Sequence, residues 1–156
     1  GYRTVHRGEN DVDRGQYGQA EQTEYASTCC VPMEASVFPP LGLLAPRYFV
    51  YYDDKDFMLR ALRANKRLYY IPGASVCHKV SSLTGGNESD FVVRYTARNR
   101  AYFWRKHLGL PIAFLFLTTY ICYYFCLLVF QKIPYPLFLR KYQSLWEGFH
   151  LGAKAA

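Results

Sequence analysis

The five cysteines of this 156-residue chain form no C-x-x-C pair, and their number is odd. Both facts argue against a zinc site and a disulfide framework, and for reduced, cytosolic thiols at Cys29, Cys30, Cys77, Cys122 and Cys126. No signal-peptide pattern opens the chain, which begins without Met in loop-like composition, as expected of a piece of a longer protein. Charge is absent from Leu108 to Gln131, 24 residues in succession. A helix of that length matches a bilayer core of about 30 Å.

Half of the residues are hydrophobic (51%) and 18% are aromatic, fifteen of them Tyr, which excludes wholesale disorder. The length suits one ordinary domain with a real core. A net charge of +7 and a pI near 9.2 call for an anionic partner: nucleic acid, a lipid surface or a phosphorylated ligand.

Along the chain, residues 1–26 read as extended loop, and Ser27 to Met33 as a short strand ended by Pro32. Phe38 to Gly42 ("FPPLG") reads as a turn, because proline pushes the preceding residue away from helix. Arg47 to Tyr52 ("RYFVYY") has strong strand propensity. From Asp54 the period is helical, with Met58, Ala61, Leu62 and Asn65 on one face and Arg60, Arg63 and Lys66 toward water. "RLYYIPGASVCHKV" predicts two short strands broken at Pro72-Gly73. A flexible "SSLTGGNESD" loop follows, and Ser89 or Asp90 caps a helix whose Arg94, Arg98, Arg105 and Lys106 fall largely along one side.

Two apolar stretches end the chain. Leu108–Gln131 opens with Gly109 and Pro111 and carries Tyr120, Tyr123 and Tyr124 in its middle, where a spanning helix rarely places tyrosine. Beyond Pro134 and Pro136, Phe138, Tyr142, Leu145 and Phe149 share a face, Arg140 and Lys141 flank it, and Trp146 reads as an interfacial anchor. Membrane contact is favoured over two soluble core helices. Spanning and lying flat both fit, and basic residues on both flanks give no orientation.

Tyr51 to Phe57 ("YYDDKDF") concentrates three acids at a strand-to-helix junction. One aspartate there caps a helix, which is worth about 1 kcal/mol. Three crowd it, and crowding raises the proton affinity of at least one carboxylate, a property suited to a general base. His78, 24 residues beyond Asp54, ends a short strand before a Ser/Thr/Gly loop whose N–H groups can approach phosphate oxygens. An imidazole suits a divalent transition metal such as Mn2+ as one ligand among carboxylates. A lone histidine there is more often structural. Asp11-Val12-Asp13 has no apolar strand before it, and Asp54-Lys55-Asp56 is better explained by the junction. Arg100 and His107 have a ribonuclease-like spacing that chance meets easily. A basic helix before an apolar run has a simpler use beside anionic lipids, so no nucleic acid is expected.

Together the "GQY" loop, "YASTCCVPM", "YFVYYDDKDF", "RLYYIPGASVCHKVS" and "YTARNR" resemble bacterial family 2 glycosyltransferases. The likeness is to the C-terminal half of rhamnosyl- and galactofuranosyltransferase-like members with a GT-A fold, over about 90 residues from Gly15 to His107. The resemblance implies an α/β, Rossmann-like fold: residues 1–107 as the acceptor-side half of a GT-A domain, residues 108–156 as membrane-associated helices. It implies an inverting, metal-dependent transfer of a sugar from a nucleotide-diphosphate donor to a glycan or lipid-linked acceptor. The setting would be surface polysaccharide synthesis at the cytoplasmic face of the bacterial inner membrane, peripheral or single-pass. Asp54 would be the base and Asp53 its acidic neighbour. His78 would hold Mn2+ or Mg2+, and Lys79, Ser81, Gly85 and Gly86 would meet the donor phosphates. The glycine usual near Asn65 is missing, and Cys30 replaces a commoner small residue. The nucleotide-binding half is expected upstream of Gly1, so the chain alone is expected to turn over poorly. The alternative is a basic, membrane-associated binding module without catalysis.

Overall fold

A computed structural model describes residues 7–77 and 89–153. They form two compact units, residues 7–45 with 53–77, and residues 46–52 with 89–153.

The first unit holds a two-stranded antiparallel sheet. β1 (Glu21–Thr23) faces β2 (Leu68–Tyr70) with Glu21 opposite Tyr70 and Thr23 opposite Leu68. The "FPPLG" turn is a single helical turn, α1 (Phe38–Leu41), whose prolines sit where helical N–H groups lack partners anyway. Gly42 closes it at φ 72°. α2 (Asp53–Arg63) buries Asp56, Phe57, Met58 and Ala61; of the face expected from its period, Met58 and Ala61 are buried, Leu62 is half-buried and Asn65 is exposed, and Phe57 meets Phe38 at 5.9 Å. Asn65 ends α2 in the left-handed region at φ 57°, with Asn65 N–H donating to Leu62 O and Lys66 N–H to Ala61 O. This paired closure favours glycine, and asparagine tolerates it next best. The missing glycine noted above therefore falls on a position that asparagine can hold.

The second unit is a three-helix arrangement of α3 (Asp90–Leu108), α4 (Leu110–Val129) and α5 (Tyr135–Ala153). Ser89 caps α3, its Oγ accepting from Val92 N–H at 3.3 Å. Asp90 opens α3 and Arg105, Lys106 and His107 close it, each matching the sign of the helix dipole. Gly109, at φ 77°, reverses the chain into α4. α3 and α5 run parallel: Asp90 pairs with Arg140, and Glu147 with Arg98 at 3.1 Å and Arg94 at 3.5 Å. They approach closely because α5 places Gly148 and Gly152 against α3. A Cβ at Gly148 would lie 1.8 Å from the Arg98 carbonyl oxygen. Ala97, Ala101, Ala113, Leu117, Leu145 and Phe149 form the core. α4 returns antiparallel, with Trp104 stacked on Phe116 at 5.5 Å and Arg100 bonded to Tyr120.

Several expectations are corrected. The described residues are mostly helical, and their only sheet has two three-residue antiparallel strands, so the Rossmann-like α/β GT-A fold is overturned. Such a domain requires parallel strands joined by crossover helices. "RYFVYY" is no strand, since Phe49, Tyr51 and Tyr52 have φ of 65°, 62° and 68°. Its carbonyls instead converge on buried Asn99, whose Nδ2 donates to Tyr48 O at 2.8 Å, Val50 O at 2.6 Å and Tyr51 O at 3.0 Å. Tertiary hydrogen bonding there overrides strand propensity. Ser27–Met33 is irregular, and of the two strands expected in 67–80 only Leu68–Tyr70 is present among the described residues. Trp146 packs on the bundle core rather than outward.

Candidate functional site

The acid cluster forms the first turn of α2, where N–H groups without helical partners favour negative charge. Its three carboxylates have different surroundings. Asp56 is fully buried and accepts from Arg60 Nε at 2.9 Å. Arg60 also donates to Leu41 O, and to Leu43 O at 2.9 Å, tying α2 to the segment after α1. Asp56 therefore reads as structural.

Asp54 is held from two sides. Its Oδ1 accepts the Lys55 N–H at 2.7 Å, and its Oδ2 accepts the phenol of Tyr25 in a short hydrogen bond. Lys55 Nζ lies 5.9 Å above the Tyr25 ring. Burial, followed by the bond to Asp54, pushes the Tyr25 phenol well above its ordinary range. The phenol thus stays a donor and fixes the direction of the Asp54 carboxylate. Asp53 is half-buried, and its carboxyl is held above the usual range, first by desolvation and then by the charge of Asp54. The proton-hungry carboxylate is therefore Asp53, through burial first and crowding second, beside a carboxylate oriented by Tyr25.

The structure brings Asp53 and Asp54 together on adjacent positions of one helical turn. His78, Lys79, Ser81, Gly85 and Gly86 lie outside the described residues. Among the described residues no three His, Cys, Asp or Glu side chains are grouped as around a metal ion. A divalent cation takes about six oxygen or nitrogen ligands. Here Asp54 is already engaged with Tyr25 and Asp56 with Arg60, so the described residues by themselves do not fit a metal. An open recess lined by Pro40, Leu41, Arg60, Arg63 and Ala64 lies at the opposite end of α2. It is remote from the carboxylate pair.

Sequence reasoning missed Tyr25, which meets Asp54 from 29 positions upstream with no local signal. It also missed Asn99. It missed as well the Gly148-x-x-x-Gly152 spacing, a helix-contact pattern that the sequence carries.

α4 is the one described helix long and apolar enough to cross a membrane, with only 11% of its apolar window buried. No protein-family model, no curated protein and no solved structure matches the chain.

Proposed function

We propose that the Asp53–Asp54 pair is the acceptor-activating base of an inverting glycosyltransferase working at a membrane surface. The substrates are a nucleotide-diphosphate sugar and a glycan or lipid-linked acceptor, and the setting is surface polysaccharide synthesis at the cytoplasmic face of a bacterial inner membrane. The reading rests on the sequence motifs and on one structural observation, a half-buried carboxyl of raised proton affinity beside a carboxylate oriented by Tyr25.

A sugar hydroxyl is a poor nucleophile, and a carboxylate must take its proton as it attacks the anomeric carbon. Asp53 is the carboxyl of the pair whose raised proton affinity brings it closer to neutral pH, where such transfer is most effective. Tyr25 fixes the direction of the Asp54 carboxylate, and attack opposite the leaving diphosphate would invert the centre. Donor and metal would be held by residues other than those described.

The test is transfer from nucleotide-rhamnose and nucleotide-galactofuranose donors by membranes carrying the natural protein that contains this chain. Asp54→Asn should lower transfer by about 100-fold or more, in the range ascribed to one general base, with the helical circular dichroism unchanged. Unchanged transfer in both Asp54→Asn and Asp53→Asn would falsify the reading.

A second reading, a basic membrane-associated module without catalysis, is favoured by a different observation. Asp56 and Asp54 each have a structural partner, Arg60 and Tyr25, without any chemistry being invoked. Under it, no transfer accompanies the natural protein and Asp54→Asn changes only stability.

A further inference from the structure

The positive charge of the chain is concentrated in one unit. Residues 46–52 and 89–153 carry nine basic and two acidic side chains, an excess of seven. The described residues of the other unit carry seven basic and nine acidic, an excess of two negative charges. The basic unit is also the one that contains α4.

α4 has two unlike sides. Ala113 and Leu117 are buried against α3 and α5, and Tyr120 and Tyr124 face the same way, their hydroxyls 3.2 Å apart. The opposite arc, which includes Ile112, Leu115, Thr119, Cys122, Cys126 and Val129, is exposed and carries no charge along the helix. At 1.5 Å per residue the 20 residues of α4 extend about 30 Å.

Length and hydropathy permit α4 to cross a bilayer, but its neighbours do not. Tyr120 stands at the middle of α4, and the Arg100 guanidinium lies 4.6 Å above its ring while Arg100 Nε donates to Tyr52 at 2.8 Å. Lys141 Nζ lies 4.6 Å above the Tyr124 ring, and Phe138 and Phe149 of α5 meet Phe125 and Phe114 of α4. A spanning α4 would therefore take Arg100 to the bilayer midplane and draw α5, with Arg140, Lys141 and Glu147, into the hydrocarbon. Charged side chains there are costly. Lying flat removes the conflict. The exposed arc then meets acyl chains, the cations of α3 and α5 stay on the water side, and Lys132, just past α4, reaches the headgroups.

We propose that α4 lies in the interfacial plane of an anionic bilayer, with its Ile112–Val129 arc toward the acyl chains, and does not cross it. The inference builds on the membrane part of the proposed function. Its occupant is a lipid surface, because an uncharged arc about 30 Å long on a unit with seven excess positive charges complements apolar tails beneath anionic headgroups.

Two measurements on the full chain test it. In flotation, the chain should rise with phosphatidylglycerol vesicles and far less with phosphatidylcholine vesicles, and Lys132→Ala should weaken the binding about five-fold. Failure to float overturns the membrane reading itself. In sealed vesicles of one orientation from expressing cells, single cysteines at His107→Cys and Gln131→Cys, in a background without the five native cysteines, report the two ends of α4. Labelling of both from one face by a membrane-impermeant maleimide is expected, and labelling from opposite faces overturns the flat orientation while leaving membrane association intact. Native Cys122 and Cys126 give a check without mutation. They should react freely without lipid and become protected by phosphatidylglycerol vesicles. Protection without lipid, accompanied by a dimer mass, would assign the arc to a second copy and overturn the proposal.

Discussion

The two units of this chain are held by different forces. In the first, a small apolar patch on α2 is supplemented by polar ties: the i,i+4 pair Arg60–Asp56 and, reaching farther along the chain, Arg60 to Leu41 and Leu43 and Tyr25 to Asp54. In the second, three long helices pack through small residues, with Ala97, Ala101, Gly148 and Gly152 allowing close approach. Packing of this kind tolerates little added volume, whereas a polar tie depends on the charge state and orientation of its partners. The contrast also separates the candidate features, with the crowded carboxylates in the acidic unit and the exposed, uncharged arc of α4 in the basic one.

The contrast breaks most sharply at Gly148. Gly148→Ala places a methyl group 1.8 Å from the Arg98 carbonyl oxygen, so α3 and α5 must move apart. A loss of about 3 kcal/mol is expected, the upper end for overpacking, seen as a lower denaturant midpoint by circular dichroism. A loss below about 0.5 kcal/mol, the level of an ordinary surface change, would show that close packing does not hold the second unit. Asn99→Ala is next. It strips three carbonyls of their donor and should cost about 2 kcal/mol, within the range for unsatisfied buried polar groups. Loss of the near-ultraviolet signal of Tyr48 and Tyr102, whose rings lie 4.7 Å apart, should accompany it. Ser89→Ala removes the cap of α3 and should cost about 1 kcal/mol.

The smallest effect sharpens the comparison from the other side. The Asp53 carboxyl is raised in the folded state, so the folded chain binds its proton more tightly than the unfolded chain does. Stability from this group is therefore full below the unfolded value near 3.8 and is lost as pH rises through the folded value. Asp53→Asn should make the first unit more stable than the parent at pH 7, with the advantage vanishing below pH 3.8. A variant less stable at pH 7 than the parent would mean that Asp53 serves as a favourable cap, and that the crowding argument fails.

Much of the helical part was legible because its signals are local. The acids opening α2, the Ser89 cap, the charge-free run of α4 and the face shared by Leu145 and Phe149 each depend on neighbours within one or two turns. The errors have the opposite character. "RYFVYY" reads as a strand because aromatic and β-branched residues favour extended backbone. Asn99, 48 to 51 positions away, gathers its carbonyls and the chain takes up left-handed residues instead. The candidate site divides in the same way. Asp53 and Asp54 are visible as acids at a helix start, while Tyr25 becomes relevant only once the fold brings it from 29 positions upstream.

By itself, then, the sequence determined where α2 to α5 form, that three acids open one of them, and that one is apolar from end to end. Helical period, capping and hydrophobicity act over a few residues, so they are written locally. Tertiary structure alone decided which carboxylate is buried, which is oriented and which is proton-hungry, because desolvation and hydrogen bonding depend on neighbours distant in the chain. It also decided which side of α4 remains open. Arg100 and Lys141 stand against the tyrosines of the closed side, which leaves the uncharged arc to face outward.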